Sequence, residues 1–358
     1  MSSSRSPLVS VVIPVYNGER FIADAIRSVL AQTYDNFELT IANNCSSDGT
    51  AAIAEEFARI DPRVHVYNAT EFVSVVDSHN RAFSLISDEA VYCKILGADD
   101  LLFPTCLSET VRVAEAHPTI GMVSALFLFG SRVSASASFP KTFFSGREIC
   151  RLRLLEGLKV FGAPCTCLFR ASVVREKQPF YDPLRFHGDT DACMGILQRH
   201  DFGFVYQVLS YSRHGEGSPT TAYLDRVNSY PAASLDEVIR WGPVYLTPEE
   251  QIQRLRAVSH EYYTLLARYL FEFRTHEFWD FHLNFARNIG YRISYGRLGL
   301  YAILRVFDVF LNPLRSTVNA LRRLSLLLHL RRPTAPSPAS PAPMKLRAHS
   351  ASGSKAVH

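Results

Sequence analysis

No uninterrupted apolar run in the 358 residues reaches the length of a membrane-spanning helix, about 20 residues. The start, Met1 to Pro7, is short and polar, and the apolar stretch behind it is broken at Pro14 and followed by Asn17 and Gly18. That is not the form of a secretion signal. The expected location is therefore cytoplasmic, peripheral on the inner face of the membrane if the C-terminal part attaches there. A strong charge is also missing. Thirty-eight Lys and Arg against 34 Asp and Glu leave +4, too little to imply a nucleic-acid partner. The seven cysteines are odd in number and irregularly spaced, and the close pair Cys165 and Cys167 is C-x-C rather than C-x-x-C. Structural zinc is not expected, and reduced thiols are.

What is present is apolar. Hydrophobic residues make up 47% of the chain, enough for a sizeable core, and the length suits one large domain with an appendage. Leu8 to Ile13 is β-branched and almost wholly apolar, the pattern of a parallel strand buried on both faces. Pro14 is expected to end it. Ile22, Ala25, Ile26, Val29 and Leu30 follow at helical spacing. Phe37 to Ala42 predicts a second strand, ending in the polar loop Asn43 to Thr50. A helix near Ala51 to Arg59 and a strand at Val64 to Tyr67 come next. A β-α-β-α-β order at this spacing predicts a doubly wound parallel sheet, with both polar loops on one edge.

Val91 to Asp100 is the stretch around which the rest is organised. An apolar run ends in Gly97, Ala98, Asp99 and Asp100. In such sheets ligands bind at the carboxyl ends of strands. Adjacent carboxylates repel unless a cation or bound ligand groups offset them, and hard oxygen ligands suit Mg²⁺ or Mn²⁺ holding a diphosphate. The plain alternative is a solvated Asp-Asp turn. Lys94 is expected to snorkel rather than to face a ligand. Further on, a helix from Gly146 to Leu155 is predicted to carry Arg147, Arg151 and Arg153 outward, and Cys165 to Phe169 to form a short strand. His187-Gly188-Asp189-Thr190-Asp191 precedes an amphipathic helix, where either aspartate could be a helix-terminal acid. The strand Gly203 to Leu209 leads to the polar cluster Tyr211, Ser212, Arg213 and His214.

Three stretches, V-S-V-V-I-P-V-Y-N-G-E-R-F-I, A-Q-T-Y-D-N-F-E-L and the A-D-D of Asp99 and Asp100, occur in this order. With them the chain resembles a family 2 glycosyltransferase with the GT-A fold, over about residues 7 to 220. The resemblance implies a nucleotide-diphospho-sugar donor (a UDP-sugar favoured), Mg²⁺ or Mn²⁺, a carboxylate base and inversion at the anomeric carbon. The acceptor would be a saccharide or a lipid-linked hydroxyl, and the setting cell-surface polysaccharide or glycolipid synthesis. Carried over by position, Pro14 and Tyr16 line the base pocket, with Glu19 near the nucleotide. Asn43 and Asn44 stand where the family usually has acids; an amide oxygen can still accept a hydrogen bond. Asp99 faces the ribose and Asp100 holds the metal. Asp189 is the first choice for general base and Asp191 the second, with Gly188 replacing the usual acid. Arg213 and His214 sit near the diphosphate. The substitutions at Asn43, Asn44 and Gly188 keep open a non-catalytic homologue. A sugar nucleotidyltransferase is less favoured, since P-V-Y-N-G-E-R replaces its Gly-rich basic loop.

By this reading residues 1–6 are a disordered N-terminus, 7–221 the GT-A domain and 222–294 a helical extension. Residues 295–331 are amphipathic helices, and 332–358 are a disordered Pro/Ala/Ser tail. Thr247-Pro248-Glu249-Glu250 carries the residues of a capped helix start. Tyr262, Tyr263, Tyr269, Phe271 and Phe273 are expected to pack. In 295–331, wide apolar faces edged with arginine suit either a membrane interface or packing on the domain or a second subunit.

Overall fold

The computed structural model describes residues 6–134, 141–185, 187–213, 223, 226–272 and 275–311. The expectations for residues 1–5, for His214, for Phe273 and for 312–358 lie outside these. No helix among the described residues is long and apolar enough to cross a membrane.

The first half winds as its periodicity predicts. Strands β1 (Val9–Val15), β2 (Phe37–Asn43), β3 (Val64–Asn68) and β4 (Tyr92–Ile95) are parallel, in the spatial order β3-β2-β1-β4. Helices α1 (Ile22–Leu30), α2 (Thr50–Ile60) and α3 (Val75–Ser84) connect them. Every residue of β1 is buried, because helices cover both faces. Its alternate residues serve two cores: Val9, Val11, Ile13 and Val15 join Ile22, Ile26 and Val29 of α1, whereas Val12 joins Phe83 of α3. The strand order reverses about β1, so the crevice opens past the carboxyl ends of β1 and β4.

Pro14 does not end β1; it pairs in register with Ala42, and the strand runs to Val15. The ladder to β4 stops at Val12 opposite Ile95, so beyond it β1 has a partner on the β2 side alone. A proline on such an edge sacrifices no ladder bond.

Past β4 the sheet becomes mixed. Strands β5 (Leu101–Leu102), β6 (Ile120–Phe129), β7 (Arg132–Val133), β8 (Phe143–Phe144), β9 (Leu168–Arg170) and β10 (Asp201–Ser212) extend it. The order continues β4-β9-β6-β10-β5, with β9 antiparallel to both neighbours and β6 parallel to β10. Helices α4 (Cys106–Ala116), α5 (Gly146–Glu156), α6 (Ala171–Glu176) and α7 (Gly188–Ile196) lie between these strands in sequence. Cys165 and Thr166 are not in a strand. They form a 3₁₀ turn with Pro164, and β9 begins after it.

A helical region follows: α8 (Tyr230–Tyr245), α9 (Pro248–Phe271), α10 (His276–Asn288) and α11 (Tyr295–Leu311). The capping box at Thr247 forms: the Glu250 amide donates to Thr247 Oγ1 at 3.3 Å, and the Thr247 amide to Glu250 Oε2 at 2.9 Å. Tyr262, Tyr263 and Tyr269 are buried, while Phe271 is exposed. The arginines of α5 correct an expectation. Arg151 and Arg153 turn to the helical region, whereas Arg147 stays exposed while it reaches the same region. Arg151 pairs with Glu250 through contacts of 2.6 and 2.8 Å, and Arg153 with Glu237 through 2.8 and 3.0 Å. Arg147 donates to the Val244 carbonyl at 3.2 Å. The partners lie more than 80 residues away in the chain, where no local helix pattern could register them.

Candidate active site at the carboxyl edge of the sheet

The site grows from two stitched loops and one tight turn. After β1, Asn17 adopts φ 50°, and its amide donates to Ser46 Oγ at 2.9 Å while its Oδ1 accepts from the Ser47 amide at 2.8 Å. The Gly18 amide donates to Thr50 Oγ1 at 2.8 Å, and the Gly49 amide to Glu19 Oε2 at 2.6 Å. Glu19 is thus engaged at the start of α2. Asp48 accepts from the Glu19 and Thr50 amides, each at 3.1 Å. Although burial opposes it, hydrogen bonds from Thr50 and these amides hold the Asp48 carboxyl below its usual range.

Tyr16 is nearly half exposed at the rim, with its ring 4.7 Å from that of Phe72, a second exposed aromatic. Asn43 and Asn44 are buried, and their amides are used within the protein. Asn43 donates to Asn68 Oδ1 at 2.8 Å and accepts from the Ser46 amide at 3.1 Å. Asn44 donates to the Val73 carbonyl at 2.9 Å and accepts from the Val73 amide at 3.1 Å. Its Oδ1 also receives Arg81 Nη1 at 3.4 Å. Asn44 therefore holds the segment that carries Phe72. Neither Phe72 nor Arg81 is assigned a role by sequence reasoning, although Arg81 lies in the polar run His79-Asn80-Arg81 of α3.

The turn after β4 brings its two carboxylates together. A Cβ placed on Gly97 would lie 2.9 Å from Asp100 Oδ2 and 3.2 Å from Asp99 Oδ1, so both side chains fold back over this glycine. Asp100 accepts from the Arg213 amide at 3.2 Å and from the Cys165 and Ser212 side chains. Burial, then the Asp99 charge, push its carboxyl up to about 6 despite these bonds. Arg213 donates through Nε to the Asp99 carbonyl at 3.2 Å and lays its guanidinium 4.2 Å from the centre of the Phe21 ring. Such crowded, partly desolvated acids fit a hard divalent cation. Among the described residues no group of three or more His, Cys, Asp or Glu is arranged to hold a metal, so Asp99 and Asp100 are the carboxylates that would hold such an ion.

Lys94 does not snorkel. It is fully buried in β4, between β1 and β9, and its Nζ donates to the Cys167 carbonyl at 3.3 Å. A strand covered on both faces leaves its stem no route to water.

Asp189 and Asp191 share the first turn of α7 but face different surroundings. Asp189 lines a small cleft with Gly162, Ala163, Pro164, Tyr181 and Cys193. Asp191 is buried against α8, with Oδ1 accepting from Arg240 Nε at 2.7 Å and from Trp241 Nε1 at 3.1 Å. The segment Phe161 to Cys167 joins the two halves of the site: Cys165 touches Asp100, while Ala163 and Pro164 wall the cleft of Asp189.

Comparison with known proteins bears on the family and the fold. The family described as Glycosyl transferase family 2 matches residues 10–176. A putative teichuronic acid biosynthesis glycosyltransferase of Bacillus subtilis is 37% identical over 94 residues, 26% of this chain and 36% of that protein. An uncharacterised glycosyltransferase of Rickettsia typhi is 27% identical over 230 residues, 63% of this chain and 70% of that one. The match to an uncharacterised protein of Sinorhizobium fredii covers 12% of its length, so the chain spans a minor part of some relatives. Among solved structures, residues 1–349 of Staphylococcus aureus TarS in complex with UDP-GlcNAc superpose with a TM-score of 0.53 at 16% identity, covering 69% of this chain and 70% of that one. A Pyrobaculum calidifontis mannosyltransferase in complex with GDP-Man and Mn²⁺ gives 0.51 at 14% identity, covering 84% and 88%. The mixed sheet and the paired loops at its carboxyl edge form a GT-A fold like that of these solved structures, and residues 10–176 are similar to the family 2 glycosyltransferases.

Proposed function

We propose that the chain transfers a sugar from a nucleotide-diphospho-sugar to a hydroxyl acceptor, with inversion at the anomeric carbon. The observation that carries this reading is the segment Phe161 to Cys167, whose Cys165 side chain meets Asp100 while its Ala163 and Pro164 line the cleft of Asp189. The bound nucleotides of the two solved structures, UDP-GlcNAc and GDP-Man, support a donor of this class, and the Mn²⁺ of the second supports a metal. A UDP-sugar is favoured.

Tyr16 and Phe72 offer aromatic faces to the base. Pro14, two residues before Tyr16, is assigned to the same pocket, and Arg81 is tied to it through Asn44. Because the Asn43 and Asn44 amides are occupied, their part in base recognition is to hold the pocket wall. Glu19 likewise serves the donor by fixing the two loops. Asp99 is assigned to the ribose and Asp100 to Mg²⁺ or Mn²⁺; when bound, the ion offsets charge on the leaving diphosphate. Arg213, anchored on the Asp99 carbonyl and Phe21, brings a cation to the same edge, with His214 next to it in sequence. Asp189 takes the proton from the acceptor hydroxyl, which then attacks the anomeric carbon opposite the leaving group. Asp191 is left out of this chemistry because Arg240 and Trp241 already hold it. One relative, named as a putative teichuronic acid biosynthesis glycosyltransferase, supports a saccharide or lipid-linked acceptor in cell-surface polymer synthesis.

The test is a panel of UDP-, GDP- and dTDP-sugars with Mn²⁺, scored by thermal shift and by donor hydrolysis. A selective ligand raises the melting temperature by mass action. If no donor binds or turns over and Asp100→Ala changes nothing, the chain is a non-catalytic homologue.

A further inference from the structure

Helix α11 is built inside out. Its inward stripe is the polar one. Tyr301, Arg305 and Asp308 are half-buried beside the buried Leu298. The Tyr301 hydroxyl meets His260 Nδ1 on α9 at 2.7 Å. Arg297, at the edge of this stripe, lies over the Tyr263 ring at 4.7 Å, and Arg305 faces Asp308 at 3.8 Å. The outward stripe is apolar. Leu300, Ile303, Leu304, Phe307 and Leu311 are 54, 56, 55, 58 and 77% exposed. Their spacing puts them on one face of the helix. A contiguous row of large apolar side chains at a protein surface marks an interaction site.

The sequence that follows says which partner suits it. From Val309 to His358 there is no Asp or Glu, while Arg315, Arg322, Arg323, Arg331, Arg332 and Lys345 all occur there. An apolar helix face followed by charge of one sign matches an anionic lipid surface, which takes the apolar side chains below its headgroups and attracts the cations. A second copy would instead set this basic stretch against itself across a self-complementary contact. We propose that α11 seats its Leu300–Leu311 face in an anionic lipid bilayer surface. The polar stripe meanwhile ties the helix to α9, so the folded body is carried to the membrane. The inference is independent of the donor chemistry.

The test uses the full-length chain and flotation with phosphatidylcholine vesicles, with and without phosphatidylglycerol. The expected result is co-flotation with the anionic vesicles that weakens as salt rises. The double variant I303E/F307E should lower the bound fraction about tenfold or more with an unchanged melting temperature, since exposed side chains carry little folding stability. Absence of flotation, equal flotation of the double variant, or equal binding to phosphatidylcholine alone overturns the proposal. A concentration-dependent dimer that Phe307→Glu dissolves assigns the face to a second copy and overturns it. So does a double variant that melts earlier while the wild-type chain stays off vesicles, which assigns the face to the protein's own C-terminal segment.

Discussion

The two aspartate pairs obey different geometry. Asp99 and Asp100 are adjacent in a tight turn, and the absent side chain of Gly97 lets both carboxylates fold onto one spot. Asp189 and Asp191 are two apart at the start of a helix, and at about 100° per residue their side chains diverge by roughly 200°. One therefore lines the cleft and the other is buried against Arg240 and Trp241. Adjacent acids concentrate charge for a cation; acids at i and i+2 of a helix divide their labour between site and scaffold.

The largest expected effect falls on the converging pair. Asp100→Ala should lower metal-dependent transfer about a thousandfold, the size of a lost metal contribution of several kcal/mol. Manganese titration of donor binding checks this, and unchanged metal dependence would break the assignment. Asp189→Asn should reduce turnover roughly a hundredfold or more while leaving donor affinity intact, as loss of a general base does. Comparing kcat with the donor dissociation constant separates it from Asp100→Ala. Gly97→Ala tests convergence itself: the added methyl meets Asp100 Oδ2 at 2.9 Å, so the carboxylates must part, and metal affinity should fall about tenfold. Asp191→Asn is the mildest. It keeps an acceptor for Trp241 but removes the paired carboxylate of Arg240, which is one-third exposed and retains the charge of Asp236 nearby. The expected cost is about 1–2 kcal/mol in denaturant unfolding, with turnover per folded molecule unchanged. If that variant loses turnover instead, the two acids have been assigned the wrong way round.

Much of the winding was legible because parallel strands covered on both faces are mostly apolar, as β1 is apart from Ser10. The Asp99-Asp100 turn was legible for the same reason: a polar break after such a run stands out. What stayed hidden depends on contacts distant in sequence. Pro14 sits inside β1 because β4 ends early, a fact about the neighbour rather than the proline. Asn43 and Asn44 looked available to a ligand until Asn68 and Val73 claimed their amides. Phe72 carried no local signal and became a candidate only where the fold set its ring against Tyr16. Asp191 and Asp189 could be ranked from sequence, but only Arg240 and Trp241 give the physical ground for separating them.

The pairing of Arg151 and Arg153 with α9 and α8 bears on how this protein can be cut. The composition shifts near residue 221, which invites a break between a sheet-bearing module and a helical one. A fragment ending there would keep α5 yet lose Glu250 and Glu237, stranding two guanidinium groups on a face meant to be covered. Shortened versions should therefore retain the chain through α9, and any evolutionary exchange of the helical region must carry those two glutamates along.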